Sequence, residues 1–284
     1  MKVFQVEGGW SRENVRLSTR PDPRPGPGAV RLRMKASALN YRDLLVPQRG
    51  YGSRMQALPL IMLSDGLGVV DAVGEGVAGV REGDRLCPLF FQSWLAGDPD
   101  EGRLARSLGV EMDGTMAEFM VLPAAGVAPV PAHLTDEEAA SIPTAGVTAW
   151  RALVTEGRVK AGDTVLVQGT GGVALFALQF ARLCGAHVIC TSSSDDKLAR
   201  VRALGADETL NYRTHPDWGR RARDIARALT GRDGVIESWR RILANGQAPK
   251  VACVQPEAFI LGDVAFVICY EAVDDNALVA TNLF

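Results

Sequence analysis

The run Gly169-Thr170-Gly171-Gly172-Val173-Ala174 has the make-up of a phosphate-binding turn. Gly169 permits a tight turn, Gly171 and Gly172 let the backbone approach a pyrophosphate, and Ala174 allows close helix–strand packing. The free N–H groups that open the next helix attract the anion. A plain glycine-rich strand–helix turn uses the same residues, so the strand–helix–strand context carries the cofactor reading. An NAD site places an Asp or Glu about 20 residues after the first glycine. Here that stretch is Cys190-Thr191-Ser192-Ser193-Ser194, without a carboxylate, and Lys197 follows. Ser192, Ser193 and Lys197 suit the 2′-phosphate of NADP (NADPH). The alternative is that Asp195 and Asp196 start a helix and Lys197 is a solvated face residue.

The elements that must position these residues follow from periodicity. An apolar strand at 164–167 leads into the turn and an apolar helix at 173–183 leads out. Strand 187–190, helix 195–204, strand 208–211 and helix 217–229 come next. That order predicts a doubly wound parallel sheet. Past Gly231 the alternation fails. Ile236, Trp239, Ile242 and Leu243 recur at helical spacing, and 251–255, 258–261, 264–271 and 278–284 read as strands. The breaks at Gly262-Asp263 and Asp274-Asp275-Asn276 are too short for parallel crossovers. The tail is therefore predicted to be an antiparallel meander after one helix.

Upstream, Val30, Leu32, Met34 and Ala36 alternate with Arg31, Arg33 and Lys35 after a Gly/Pro cluster, which predicts a half-buried strand. Short strands and frequent turns through the first 125 residues predict an antiparallel barrel-like domain. Thr135 and Glu138 have capping-box spacing at a helix start.

The chain of 284 residues has room for about two domains. A net charge of −2 gives no support to a nucleic-acid or anionic-membrane partner. No apolar run approaches the roughly 20 residues of a membrane span. Hydrophobic residues at 47% and charged residues at 23% argue against disorder. The 5 cysteines form no Cys-x-x-Cys pair and the 3 histidines are isolated, which disfavours a four-ligand zinc site. The scattered cysteines fit a reducing compartment, and the start lacks a signal-peptide apolar stretch, so a cytoplasmic location is expected.

Several further runs carry a resemblance: Ala38-Leu39-Asn40-Tyr41-Arg42-Asp43-Leu44, Pro59-Leu60-Ile61-Met62-Leu63-Ser64-Asp65-Gly66, Asp113-Gly114-Thr115-Met116-Ala117-Glu118 and Ile142-Pro143-Thr144-Ala145-Gly146-Val147-Thr148-Ala149-Trp150. With the glycine turn, they make residues 1 to about 232 similar to the medium-chain dehydrogenase/reductase superfamily, in its zinc-free quinone-oxidoreductase-like branch. The resemblance implies a GroES-like substrate domain at 1–125, a partial Rossmann dinucleotide-binding domain at 126–232 and an active site between them. It also implies that Asn40, Tyr41 and Thr148 line the nicotinamide and substrate pocket, and that Tyr212 contacts the adenosine phosphate end. Read without the resemblance, Tyr41 is a packed aromatic, Asn40 a turn residue and Tyr212 a strand-end tyrosine.

Zinc-dependent relatives bind catalytic zinc through Cys, His and Cys, and the matching positions here are Asn40, Ser64 and Thr144. Those residues cannot make a soft N/S site, so no metal is expected. Hydride transfer from NADPH to an electron-poor small molecule, a quinone or an enone, is then the expected reaction. Segments 235–243 and 261–267 resemble part of a SnoaL-like or nuclear-transport-factor-2-like cone, which implies an α+β fragment at 233–284. The alternative function is binding of a dinucleotide or apolar ligand with little or no turnover, because strands that form half of the nicotinamide site are missing. The exposed edge of a half-built sheet invites pairing into a homodimer.

Overall fold

The computed structural model describes residues 1–229, 259–261 and 264–267. The chain divides at Thr144/Ala145 into two units. In the first, β1 (Lys2–Val6) pairs antiparallel with β2 (Val15–Thr19). The alternating run becomes β3 (Ala29–Ala38), with Val30 and Leu32 fully buried. β4 (Leu60–Ile61) pairs with the other side of β1. β5 (Asp65–Val73), β6 (Arg85–Pro88), β7 (Phe119–Pro123) and β8 (Val127–Pro129) join β3 in a five-stranded antiparallel sheet ordered β7-β3-β5-β6-β8. This is the expected GroES-like antiparallel domain. Leu32, Val70, Leu86, Leu108 and Leu122 form one of its cores. Each such aliphatic side chain contributes about 1.5–3 kcal/mol by leaving water.

The expected boundary at 125 falls short of the observed division. β8 pairs with β6, and α1 (Asp136–Ala140) packs on β3 and β5. Arg85 pairs with Asp136 at 2.8 Å, and the Cys87 thiol donates to Ala139 O at 3.4 Å. These contacts keep 126–144 with the first unit. Both halves of the capping box form: Thr135 Oγ1 accepts from Glu138 N–H, and Glu138 Oε2 accepts from Thr135 N–H. α1 ends within five residues, and a π-helical turn, Ile142–Gly146, follows. Pro143 in that turn has no N–H to continue an α-helical ladder.

The second unit opens with α2 (Val147–Trp150), continued by π-helical Arg151–Glu156. β9 (Thr164–Gln168), α3 (Gly172–Leu183), β10 (His187–Ser192), α4 (Asp195–Ala203), β11 (Glu208–Asn211) and α5 (Trp218–Leu229) then alternate as expected. Both β9 and β11 run parallel to β10. Ala149, Leu153, Val165, Val167, Ala177, Leu178 and Val188 are fully buried in one core between sheet and helices.

β12 (Phe259–Leu261) and β13 (Val264–Val267) form the expected antiparallel pair around 262–263. β13 also lies parallel to β9, giving the order β11-β10-β9-β13-β12. The tail hairpin thus extends the second unit's sheet rather than standing apart from it. The expected helix at 236–243, the strands at 251–255 and 278–284 and the turn at Gly262-Asp263 lie outside the described residues. Among the described residues no helix is long and apolar enough to cross a membrane.

Candidate functional site

In the first unit, polar side chains gather where β5 begins. Residues 113–116 fasten the approach to β5: Gly114 N–H donates to Ile61 O (2.9 Å), Thr115 N–H to Leu63 O (3.1 Å) and Met116 N–H to Met62 O (3.0 Å). Thr115 Oγ1–H closes the fastening on Asp65 O at 2.8 Å. Ser64 and Asp65 are held fully buried as a result. Asp65 Oδ1 accepts from Thr144 Oγ1–H at 2.6 Å and from Ser64 Oγ–H at 3.1 Å, while Oδ2 accepts from Thr144 N–H at 2.9 Å. Burial holds the Asp65 proton more tightly than usual, and donors from Thr144, Asn40 and Ser64 offset part of that. The chemistry is a satisfied buried carboxyl with hydroxyls on its rim.

Asn40 follows β3 and heads a 3-10 turn, Tyr41–Leu44. Its backbone N–H donates to Asp43 Oδ2 at 2.7 Å. Its side-chain Nδ2 is buried without a full hydrogen bond among the described residues. Tyr41 is half-buried beside it. Arg42 is buried, with its guanidinium over the rings of Tyr51 and Phe90, and it donates to Leu108 O at 3.2 Å. Burial pushes the Asp43 carboxyl up to about 6; Asn40 N–H and Arg42 work against the rise, and Asp65 adds to it.

That shift has a definite sign. An unfolded chain loses the Asp43 proton near 3.8, the folded chain near 6. Between those values unfolding releases a proton, so rising pH favours the unfolded chain. Asp43→Asn keeps an oxygen for Asn40 N–H and carries no charge. We expect its stability relative to wild type to rise by about 1–3 kcal/mol from pH 4 to pH 7. Denaturant melts across that range are the check, and a constant difference counts against it.

In the second unit, the glycine turn joins β9 to α3. Gly169 has φ +85, a left-handed backbone, and its N–H donates to Thr191 O at 3.0 Å. Gly171 is the N-cap of α3 and offers no side-chain cap. A Cβ on Gly171 would meet nothing within 4 Å, which is the room a pyrophosphate needs. A Cβ on Gly172 would lie at ordinary contact, 3.6 Å from Ala145 Cβ, so that glycine is less demanding than expected. The first bond within the helix is Leu175 N–H to Gly171 O, which leaves the N–H groups of Gly172, Val173 and Ala174 ahead of the ladder. Val173 and Ala174 are buried, and Thr170 is half-buried in the turn.

The end of β10 lies beside this turn. Ser192 is fully buried; its Oγ accepts from Ser194 N–H at 3.4 Å, and its carbonyl accepts from Tyr212 N–H at 3.1 Å. Ser194 caps α4 by accepting from Lys197 N–H. Asp195, the first carboxylate after β10, accepts from Asn211 Nδ2 at 2.8 Å. The structure therefore brings Gly169–Val173, Ser192, Ser193, Lys197 and Tyr212 to the carboxyl ends of β9, β10 and β11. Thr148 is half-buried on α2, which packs against α3. A dinucleotide fits this donor set, with a helix start for its pyrophosphate and hydroxyls with a lysine beyond β10.

Residues 26–132 match the family described as alcohol dehydrogenase GroES-like domain, and residues 172–240 the family described as zinc-binding dehydrogenase. A solved NAD-dependent alcohol dehydrogenase is 42% identical, with a TM-score of 0.72, over 82% of this chain and 68% of that one. The chain belongs to the medium-chain dehydrogenase/reductase superfamily. The family's enzymes named here are oxidoreductases acting on small molecules. A zinc-type alcohol dehydrogenase-like protein of Schizosaccharomyces pombe is 45% identical over 68% of this dehydrogenase/reductase chain. An acryloyl-coenzyme A reductase of Sulfurisphaera tokodaii is 29% identical over 90% of it and 78% of the reductase. The chain spans 56% of the length of the S. pombe protein.

Zinc does not suit the donor set of Asn40, Ser64 and Thr144. Asn40, Ser64 and Thr144 supply an amide and two hydroxyls, and both hydroxyls donate to Asp65. Among the described residues no group of three or more His, Cys, Asp and Glu could hold a metal. Sequence reasoning assigned no role to Asp65 or Asp43. The signal was present: a Ser-Asp pair directly after the apolar run 60–63 must be buried with partners.

Proposed function

We propose that this chain is a zinc-independent oxidoreductase that uses NADPH to reduce an electron-poor acceptor, an enone or a quinone. The observation that carries the proposal is the hydrogen bonding of Ser64 and Thr144 to Asp65, which leaves no soft donor set for a Lewis acid. Alcohol oxidation would lack its usual driver. Reduction of a conjugated acceptor delocalises the product charge, so one or two hydrogen-bond donors suffice. Asn40 and Tyr41 are the proposed donors to the acceptor oxygen. The acryloyl-coenzyme A reductase, named for a conjugated substrate, supports the acceptor class.

NADPH, when bound, supplies the hydride. The start of α3 binds its pyrophosphate, Gly171 leaves the space, Thr170 and Tyr212 flank the turn and the strand end, and Thr148 contacts the nicotinamide. Ser192, Ser193 and Lys197 take the 2′-phosphate. Asp195, hydrogen-bonded to Asn211, is not poised as a ribose ligand, which favours NADP over NAD. We expect Lys197→Ala to weaken NADPH by about 1–3 kcal/mol and NADH hardly at all. Fluorescence titration with both cofactors reads this directly, and wild-type binding of NADH as tight as NADPH would count against NADP.

The whole reading is tested by following NADPH oxidation with a simple enone and a simple quinone after chelator treatment. Undiminished turnover is expected, and activity that disappears with the chelator and returns with zinc refutes zinc independence. A second reading is binding of a dinucleotide or an apolar ligand without turnover. Retained NADPH binding with no turnover of either acceptor would select it.

A further inference from the structure

Hydride addition to a conjugated acceptor leaves an anion that must take up a proton. The first unit holds a group suited to give it. Asp65 is 0% exposed, so it exchanges protons with water only through a neighbour. Two hydroxyls touch its Oδ1, and Ser64 is equally buried. Thr144 is half-buried, so of the two hydroxyls on Oδ1 its own belongs to the residue with some exposure. The Thr144 Oγ1 to Asp65 Oδ1 distance of 2.6 Å is that of a strong hydroxyl–carboxyl hydrogen bond.

We propose that Thr144 hands a proton to the reduced acceptor and that Asp65, behind it, replaces that proton. This rests on the reductase reading above. NADPH, when bound, would supply the hydride that forms a C–H bond at the electron-poor carbon, which would leave the electron pair on the acceptor's conjugated oxygen. That anion takes the proton of Thr144 Oγ1, and Oγ1 takes the proton of the Asp65 carboxyl. Two O–H bonds break and two X–H bonds form, one of them on the acceptor and one on Oγ1. Asp65 ends as a carboxylate and regains its proton from water through Thr144.

The cluster suits both states. With Asp65 protonated, its O–H points to Thr144 Oγ1 and frees the threonine proton to face outward. With Asp65 ionised, Thr144 N–H, Thr144 Oγ1–H and Ser64 Oγ–H all donate to it. The direction of its shift favours the protonated store, because burial outweighs those donors. The other ionisable groups that feel Asp65 are Asp43 in the 3-10 turn and Cys87 on β6, and Arg42 adjoins Asp43. Asp65 in its ionised form adds to the rise at Asp43. Thr115 binds only the backbone carbonyl of Asp65 and leaves the carboxyl to the relay.

The experiment compares wild type, Thr144→Val, Thr144→Ser and Asp65→Asn in NADPH-dependent reduction of an enone, with NADPH binding measured separately. General-acid contributions of this kind are about a hundredfold or more. We expect Thr144→Val and Asp65→Asn to lower kcat about a hundredfold with unchanged NADPH affinity, and Thr144→Ser to restore most of it. Wild-type kcat should fall as pH rises through the Asp65 titration, and Asp65→Asn should lose that pH dependence. Infrared spectra supply a readout besides turnover: a protonated-carboxyl band present in wild type, absent in Asp65→Asn and shifted in Thr144→Val. Wild-type turnover with an undiminished Thr144→Val rate, or no such band, overturns the relay. Wild-type protein that reduces no acceptor overturns the reductase reading and the relay with it.

Discussion

Gly171→Asp is expected to abolish dinucleotide binding and to leave the fold intact. Gly171 has φ −78 and ψ −178, extended backbone open to any residue. A Cβ there meets nothing within 4 Å, so the side chain enters without a clash. Aspartate is a preferred N-cap, and its carboxylate would take the N–H groups of the first turn of α3, stabilising the helix by about 0.5–2 kcal/mol. The same carboxylate would occupy the place of the pyrophosphate and repel it. Together these effects should weaken NADPH at least about a hundredfold, roughly 2.7 kcal/mol. Calorimetric titration beside a thermal melt separates the two consequences: affinity collapses while Tm stays level or rises. Unchanged affinity would show that the turn is only a turn. Gly171→Ala, which adds bulk without charge or a cap, should lose far less.

The largest effect on stability is expected from Gly114→Ala. A Cβ on Gly114 would sit 1.9 Å from Leu63 O and 2.3 Å from Met62 O. Backbone must move to admit it, and this backbone is held from both sides by the bonds from residues 114–116 to residues 61–63. Losing them also frees the start of β5, where Ser64 and Asp65 are kept out of water. A buried carboxyl without its partners costs further free energy. We expect destabilisation above about 4 kcal/mol, in the range reserved for a named structural failure. Gly26→Ala is the control, since a Cβ there meets nothing within 4 Å, and it should stay within about 0.5 kcal/mol. Urea unfolding of both variants decides it. A Gly114→Ala protein as stable as the control would mean that residues 113–116 do not fasten β5.

The second unit's order was legible because each of its signals is local. The glycine turn lies between an apolar strand and an apolar helix, and Thr135 with Glu138 marks a helix start within four residues. The short break at 262–263 excluded a crossover, and β12 and β13 do pair antiparallel. The end of α1 was less legible, because the π-helical turn around Pro143 depends on how the chain leaves the first unit's sheet. The expected boundary at 125 missed for a related reason. Composition changes near 135, but β8 and α1 are held to the first unit by β6, Arg85 and Cys87, which lie some 40 to 50 residues earlier.

The sequence by itself determined the glycine turn, the alternation of β9 to α5, the carboxylate-free end of β10 and the Asn, Ser and Thr at positions 40, 64 and 144. Each rests on residue type and on neighbours a few positions away, which set backbone conformation and helix starts directly. Only the tertiary structure decided what surrounds Asp65. Asp65 meets Thr144 across 79 residues, and Thr115 reaches Asp65 across 50. Such bonds depend on strand register and on which side chains are denied water, and neither quantity is written in any short stretch of chain. A buried carboxyl must find its donors wherever the fold brings them, and here it brought the hydroxyls of Ser64 and Thr144.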